Sequence, residues 1–326
     1  MTTIAHTPID GLRLAELPPG RHRRWLEILP TPDGVLSVPL LAVVGRRGPA
    51  VFAVAGVHGD EWEGPEAIWD VWHGLDPAAL HGAFLAIPLC NPLAYAIASR
   101  TTPLMVDGLN LARVFPGDPE GLPTQRLAAA LFALITRTLT PSDLFVDLHS
   151  GGTRYEFLPV VGYRRGLGDE ARSRDASRAF GIPNLWLVEP HTGTFNTEIA
   201  RTGIPTIGAE VLGGGGSRRE DVAAYREGLL NALRFQGVLR DRPAPRVEAA
   251  FHETADFATP VSGLLRLNRE VGAAAAAGDV VAQVLNPFGD VVAELAAPRA
   301  GHVWVMRRLR TVWAGDRVWT LAYPEA

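Results

Sequence analysis

Ala50-Val51-Phe52-Ala53-Val54-Ala55-Gly56-Val57 runs directly into His58-Gly59-Asp60-Glu61. The first eight residues are almost wholly apolar, the pattern of a strand buried on both faces. Two more such runs follow, Ala83–Leu89 and Leu144–Leu148, and Thr206–Ala209 ends a fourth, shorter one. Helical patterns stand between them. Pro65 sits near the start of Glu66–Leu75, as suits a first turn. Thr124–Leu139 puts Leu127, Leu131, Leu134 and Ile135 on one face. Glu170–Phe180, followed by Pro183, and Ser217–Gln236 read as two further helices. This alternation over residues 48–238 predicts an α/β domain.

Outside that stretch the texture differs. Residues 8–46 read as short strands and turns, with Leu36–Val44 the clearest strand. Residues 91–123 are rich in Pro and Gly and read as a long loop, ordered or disordered. Asp241–Arg246 has linker composition. Residues 247–326 show short β-like runs, Gly-Asp turns and no good helix. The segments Gly278-Asp279-Val280-Val281 and Gly315-Asp316-Arg317-Val318 suggest two similar β halves. The expected organisation is therefore a domain over 1–242 and a small all-β domain over 243–326.

Composition removes several function classes. The chain has 326 residues and a formal charge of −4, so no nucleic-acid footprint is expected. All 31 basic residues are Arg. That excludes a P-loop lysine, a Schiff-base lysine and a lipoyl or biotinyl attachment lysine. The single Cys90 excludes an intrachain disulfide, a redox dithiol and a cysteine-rich metal site. No apolar run is long enough to span a membrane, and residues 1–20 carry no secretory pattern. A cytoplasmic protein with no membrane partner is the expectation.

Three of the buried runs end in a residue that could serve as a metal ligand or a base. Val57 leads to His58 and Glu61, Leu148 to His149, and Ala209 to Glu210, with Gly213–Gly216 just beyond. In an open α/β sheet the carboxyl ends of strands border the ligand crevice. A hydrolytic zinc takes three protein ligands, commonly two His and one carboxylate, and keeps one position for water. His-x-x-Glu offers two ligands from one turn, a distant His the third, and a separate carboxylate the general base. Asp147, two residues before His149, falls on the same strand face and could orient that imidazole. A His and an acid three apart are common by chance. His73 and Asp76 show it, near a helix end with no strand feeding them. A polar residue at a strand end is also often merely solvated.

Residues 56–65 (GVHGDEWEGP), 111–117 (LARVFPG) and 147–152 (DLHSGG) resemble the succinylglutamate desuccinylase/aspartoacylase family. That family belongs to the zinc carboxypeptidase-like group. The likeness covers roughly residues 35–240, keeps the family's motif order, and is closest to the N-acetyl-diaminobutyrate deacetylase branch. It implies a zinc-carboxypeptidase-like mixed sheet flanked by helices, with a small biotinyl/lipoyl-like β sandwich capping the site. It implies one Zn²⁺ per chain held by His58, Glu61 and His149, with Glu210 as base. It implies Arg100 polarising the scissile carbonyl and Arg113 gripping a substrate carboxylate, a match that guanidinium geometry favours. Ala112 stands where the family usually has Asn, which removes one donor to that carboxylate. The glycines also follow Glu210 at a longer spacing than usual. Glu189 and Glu198 are rival bases, but neither follows a strand-like run ending in a Gly-rich turn. His191 is expected to be a plain loop histidine.

The expected activity is deacylation of a small N-acyl amino acid or N-acyl diamino acid bearing a carboxylate. No further arginine is assigned to the pocket from sequence, so a neutral acyl group such as acetyl is expected. The alternatives are a metallocarboxypeptidase acting on peptides and a non-catalytic small-ligand binder on the same fold. A homo-oligomer is compatible with the sequence.

Overall fold

The computed structural model describes residues 4–13 and 16–325. Its helices are α1 (Glu63–Gly74), α2 (Pro92–Tyr95), α3 (Pro123–Thr138), α4 (Glu170–Phe180), α5 (Phe195–Arg201) and α6 (Arg219–Phe235). The strands before residue 100 are β1 (Ala5–Pro8), β2 (Gly20–Thr31), β3 (Gly34–Val44), β4 (Arg46–Val54) and β5 (His81–Ile87). The middle strands are β6 (Leu144–Ser150), β7 (Tyr155–Phe157), β8 (Val160–Arg164), β9 (Asn184–Val188) and β10 (Thr206–Val211). After the linker come β11 (Phe251–Ala258), β12 (Gly263–Leu267), β13 (Ala274–Ala275), β14 (Val280–Leu285), β15 (Val291–Ala296), β16 (Gly301–Arg307), β17 (Thr311–Val312) and β18 (Arg317–Pro324).

One mixed sheet dominates, in the order β1-β2-β3-β5-β4-β6-β10-β8-β9-β11-β18-β16-β13. β4 is parallel to both β5 and β6, and β6 is parallel to β10. The three apolar runs that end in candidate ligands are therefore neighbours, with their carboxyl ends on one edge. β4 shows why its sequence is apolar throughout. Val51 and Ala53 join a core with Ile68, Val71, Phe180 and Leu229, on the side of α1, α4 and α6. Phe52 and Val54 join another with Leu127, Leu131, Phe195 and Ile199, on the side of α3 and α5. Both faces are covered, so neither alternate set can be polar.

The helices start and stop on local chemistry. Asp169 caps α4 by accepting from the Arg172 N–H at 3.0 Å, and Gly181, at φ 100°, ends it in the left-handed region. Pro123 opens α3, while the Gln125 side chain accepts from the Leu122 N–H at 2.9 Å.

The Pro/Gly-rich stretch 91–123 is ordered rather than loose. Asn91 caps the short α2 and donates to Thr102, and Thr124 donates to both Thr102 and Asp107. These polar staples replace the hydrophobic periodicity the segment lacks. Sequence reading also missed β7, β8, β9 and α5, each seven residues or shorter.

After residue 250 the chain is all strand and turn, as expected. β11 lies parallel to β9 at Phe251–His252, so β11, β18 and β16 continue the large sheet. The other C-terminal strands form a four-stranded sheet, β15-β14-β12-β17. Leu265, Val281, Val284, Val303, Trp319 and Leu321 share one core between the two.

Candidate active site

His58 follows β4 in the turn that leads to α1, and Glu61 follows three residues later. Both are buried. Gly59 is required in that turn: a Cβ there would lie about 2 Å from the Ala94–Tyr95 backbone of α2. β6 delivers His149 beside them. One ligand atom from each of His58, Glu61 and His149 lies within 4.8 Å of the others. His58 Nδ1 is 2.7 Å from Glu61 Oε1, and His149 Nδ1 is 2.9 Å from Glu61 Oε2.

Each imidazole is held from behind. His58 Nε2 donates to the Asn110 side-chain oxygen at 3.1 Å. His149 Nε2 faces Asp147 Oδ2 at 3.1 Å, and Asn196 donates to that same oxygen at 3.0 Å. The far nitrogens are thus committed to acceptors, and both Nδ1 atoms point toward Glu61. Two imidazole nitrogens and a carboxylate converging in this way fit a divalent cation with an open position. Tyr225 donates its hydroxyl to the His149 carbonyl and fixes the strand end.

The charges reflect this crowding. Burial pulls the His58 pKa down, and neighbouring Arg100 and His149 add to it against the pull of Glu61. Burial alone would lower His149 too, but the Asp147 and Glu61 carboxylates outweigh it and hold His149 well above 6.5. Glu61 is driven below the usual carboxylate range, because the two imidazoles outweigh its burial.

Glu210 lies on β10 in register with His149 on β6, on the same face. Burial pushes its pKa up to about 8, against the pull of the His149 charge. Its Oε2 is buried and has no hydrogen-bond partner among the described residues. Arg100 donates to Glu61 Oε1 at 3.2 Å and approaches His58 Nδ1 at 3.3 Å. Arg113 is exposed in the same cavity, with the adjacent Ala112 carbonyl as its one acceptor among the described residues. All seven residues singled out from sequence (His58, Glu61, Arg100, Arg113, Asp147, His149 and Glu210) line a single cavity of about 510 Å³.

The rivals sort clearly. Glu198 accepts from the Gly193 N–H at 3.0 Å and is not part of the lining, whereas Glu189 pairs with Arg165 at the rim. His191, expected to be a plain loop residue, does line the cavity, from an exposed position. His73 is exposed at the end of α1, and Asp76 caps the next turn.

Among the lining or supporting residues that escaped the sequence reading are Asn110, Asn196, Arg164 and Arg317. Asn110 stands three residues before Arg113 and was within reach of motif reasoning. Arg164 ends the apolar run of β8, which was not recognised as a strand. Sequence reading assigned no further arginine to the pocket, and the structure adds Arg164 and Arg317 to its lining. Arg317 arrives on β18, stacked 4.5 Å over Tyr155 and paired with Asp256 at 3.3 Å. No local pattern predicts a contact across so many residues.

The family model described as succinylglutamate desuccinylase/aspartoacylase catalytic domain matches residues 47–236. The N-alpha-acetyl-L-2,4-diaminobutyric acid deacetylase of Halomonas elongata is 31% identical over 303 residues, 89% of this chain and 86% of that protein. Among solved structures, a succinylglutamate desuccinylase/aspartoacylase from Rhodobacter sphaeroides has 28% identity and a TM-score of 0.85, covering 94% of this chain and 97% of its own. The product-bound ectoine utilization protein EutE of Ruegeria pomeroyi has 27% identity and a TM-score of 0.86, with the same coverage.

Proposed function

The chain belongs to the succinylglutamate desuccinylase/aspartoacylase family, and from that premise we propose that it is a zinc-dependent amidohydrolase that deacylates a small N-acyl amino acid. The observation that carries this reading is the convergence of His58, Glu61 and His149 within 4.8 Å, in one cavity with Glu210. His58, Glu61 and His149 would hold the metal through two Nδ1 atoms and the carboxylate. When bound, zinc supplies Lewis acidity at the carbonyl and makes water a nucleophile near neutral pH.

The chain's own residues do the rest. Glu210 takes the proton from the attacking water and passes it to the leaving amine. A carboxyl held well above its ordinary value is matched to both halves of that task near neutral pH. Arg100 donates to the carbonyl oxygen as negative charge develops there. It now rests against Glu61 and His58, so it must turn toward the substrate. Arg113 reads the carboxylate beside the acylated amine. Asp147 and Asn110 set the two imidazoles. Residues 243–326 act as a capping module, because Asp256, Arg317 and Thr320 close one wall of the cavity. That enclosure favours small substrates over the peptides of a metallocarboxypeptidase.

Asn110→Ala should weaken metal binding about 10- to 100-fold, the usual scale for losing a group that orients a ligand. A chelator competition titration reads it directly. Unchanged affinity would mean that His58 needs no such support. The reading as a whole is tested by screening zinc-loaded protein against N-acetyl and N-succinyl amino acids, with small C-terminal dipeptides alongside. Turnover of the N-acyl amino acids is expected. Turnover of peptides alone, or of nothing, would defeat it.

A further inference from the structure

Asn196 is buried on α5 and uses only half of what its amide offers. Its Nδ2 donates to Asp147 Oδ2 at 3.0 Å, while its Oδ1 is buried with no partner among the described residues. A buried amide with an empty acceptor costs more than an apolar side chain filling the same space. Packing alone therefore does not account for an asparagine at this position. What it adds is the one hydrogen bond to Asp147.

That bond matters because Asp147 has little else to hold it. Its Oδ2 also faces His149 Nε2 at 3.1 Å, but its Oδ1 is buried with no partner among the described residues. Arg164 adds charge from nearby, and its own buried Nε is unpartnered too. Apart from the imidazole, Asn196 is thus the one group among the described residues that hydrogen-bonds this carboxylate. The last torsion of an aspartate is broad. Without the amide, the carboxylate swings and His149 loses a fixed acceptor.

The sheet leaves a seat for the amide. Gly208 on β10 is in register with Asp147 on β6, so the two positions lie side by side on one face. A Cβ on Gly208 would stand 2.7 Å from Asn196 Nδ2, with Cγ and Oδ1 of the same side chain the next nearest atoms, at 3.5 and 3.8 Å. The amide therefore occupies the place a side chain at 208 would take. Contacts on either side hold α5 over that seat. Phe195 stacks on Phe115 with ring centroids 3.9 Å apart, and Glu198 accepts from the Gly193 N–H at 3.0 Å.

We propose that Asn196 is a positioning residue for the metal site: seated over Gly208, it fixes Asp147, and Asp147 in turn holds His149 with Nδ1 facing the metal. This rests on the zinc-site reading and extends it one residue further from the metal.

Titration of the protein with Zn²⁺ against a competing chelator tests this without turnover. Asn196→Ala should weaken zinc binding on the order of tenfold, the lower end of the range for losing a group behind a ligand. Asn196→Leu, which fills the same space without a donor, should lose as much. Gly208→Ala should match them, because its methyl meets only the end of a flexible side chain and the backbone at 208 is not left-handed. The double variant, Asn196→Ala with Gly208→Ala, should lose no more than the worse single variant, to within about twofold. Independent effects would instead multiply to about a hundredfold. In the Co²⁺-loaded protein, the His149 ring N–H should exchange with water faster in Asn196→Ala, while that of His58, held by Asn110, should not change. Melting of the metal-free variants should stay within about 3 °C of wild type. Unchanged zinc affinity in Asn196→Ala and Asn196→Leu would overturn the proposal, as would losses that multiply in the double variant. A large fall in metal-free melting temperature with unchanged His149 exchange would make Asn196 a support of the fold alone, and would overturn it too. If wild type binds zinc and the variants bind it equally, only this proposal fails. If wild type binds no zinc, the metal reading fails and takes this proposal with it.

Discussion

Glu210→Gln is expected to keep its zinc and lose at least about a hundredfold in turnover, the usual scale for removing a general base. A hundredfold is about 2.7 kcal/mol of transition-state stabilisation. The amide is nearly isosteric and fills the same place in β10, beside His149, so the strand and the metal set should stay intact. What it cannot do is accept a proton. Glu61→Gln should behave in the opposite way. Its carboxylate takes contacts from both imidazoles, and an uncharged replacement would release the metal along with the activity. Metal analysis and single-turnover hydrolysis on the two variants separate the roles. Metal loss in Glu210→Gln with metal retained in Glu61→Gln would mean that ligand and base have been exchanged.

Arg113→Ala is expected to raise KM by about 10- to 100-fold for carboxylate substrates and to change it little for their amidated analogues. The guanidinium is a fixed bidentate donor, and a charge-assisted pair of this kind contributes on the order of 1.5–3 kcal/mol. Its side chain is exposed in the cavity and, among the described residues, is tied only to the Ala112 carbonyl, so it is free to turn toward a ligand. Ala112 is buried beside it and offers no side-chain donor, which leaves the carboxylate dependent on Arg113. Equal losses on carboxylate and amide would show that Arg113 does not read the anion.

Much of this site was legible in the sequence, for a definite reason. The elements that bring His58, Glu61, His149 and Glu210 together are apolar strands whose pattern is local, and each runs into or carries near its end one of these side chains. β4, β6 and β10 announce themselves by composition, and their adjacency in the sheet follows from parallel α/β construction. The rest was not legible because its signals are either short or remote. β8 is five residues long and its last residue is Arg164, so neither the strand nor its charged tip stood out. α5 has seven residues and lies in a Thr- and Gly-rich stretch, which hid Asn196. Arg317 enters through pairing of β18 with β11, and β11 with β9, which no spacing rule anticipates. The order in 91–123 comes from side-chain hydrogen bonds among Asn91, Thr102, Asp107 and Thr124, a form of support that leaves no periodic trace.

The proposed metal site carries an expected pH dependence. In the metal-free protein the Asp147 and Glu61 carboxylates hold His149 well above 6.5, against burial, which favours the form protonated on both ring nitrogens. A metal must displace the proton from Nδ1. Below the raised value, affinity should therefore fall about tenfold for each unit of acidification. Above it, affinity should level off.

The claim that matters most is that His58, Glu61 and His149 form a zinc site, and metal content tests it directly. Purified wild-type protein, dialysed against zinc and then freed of excess, should hold about one zinc per chain. His149→Ala and His58→Ala, treated identically and shown to be folded, should each lose most of it. Metal content unchanged in both variants would contradict the account at its centre.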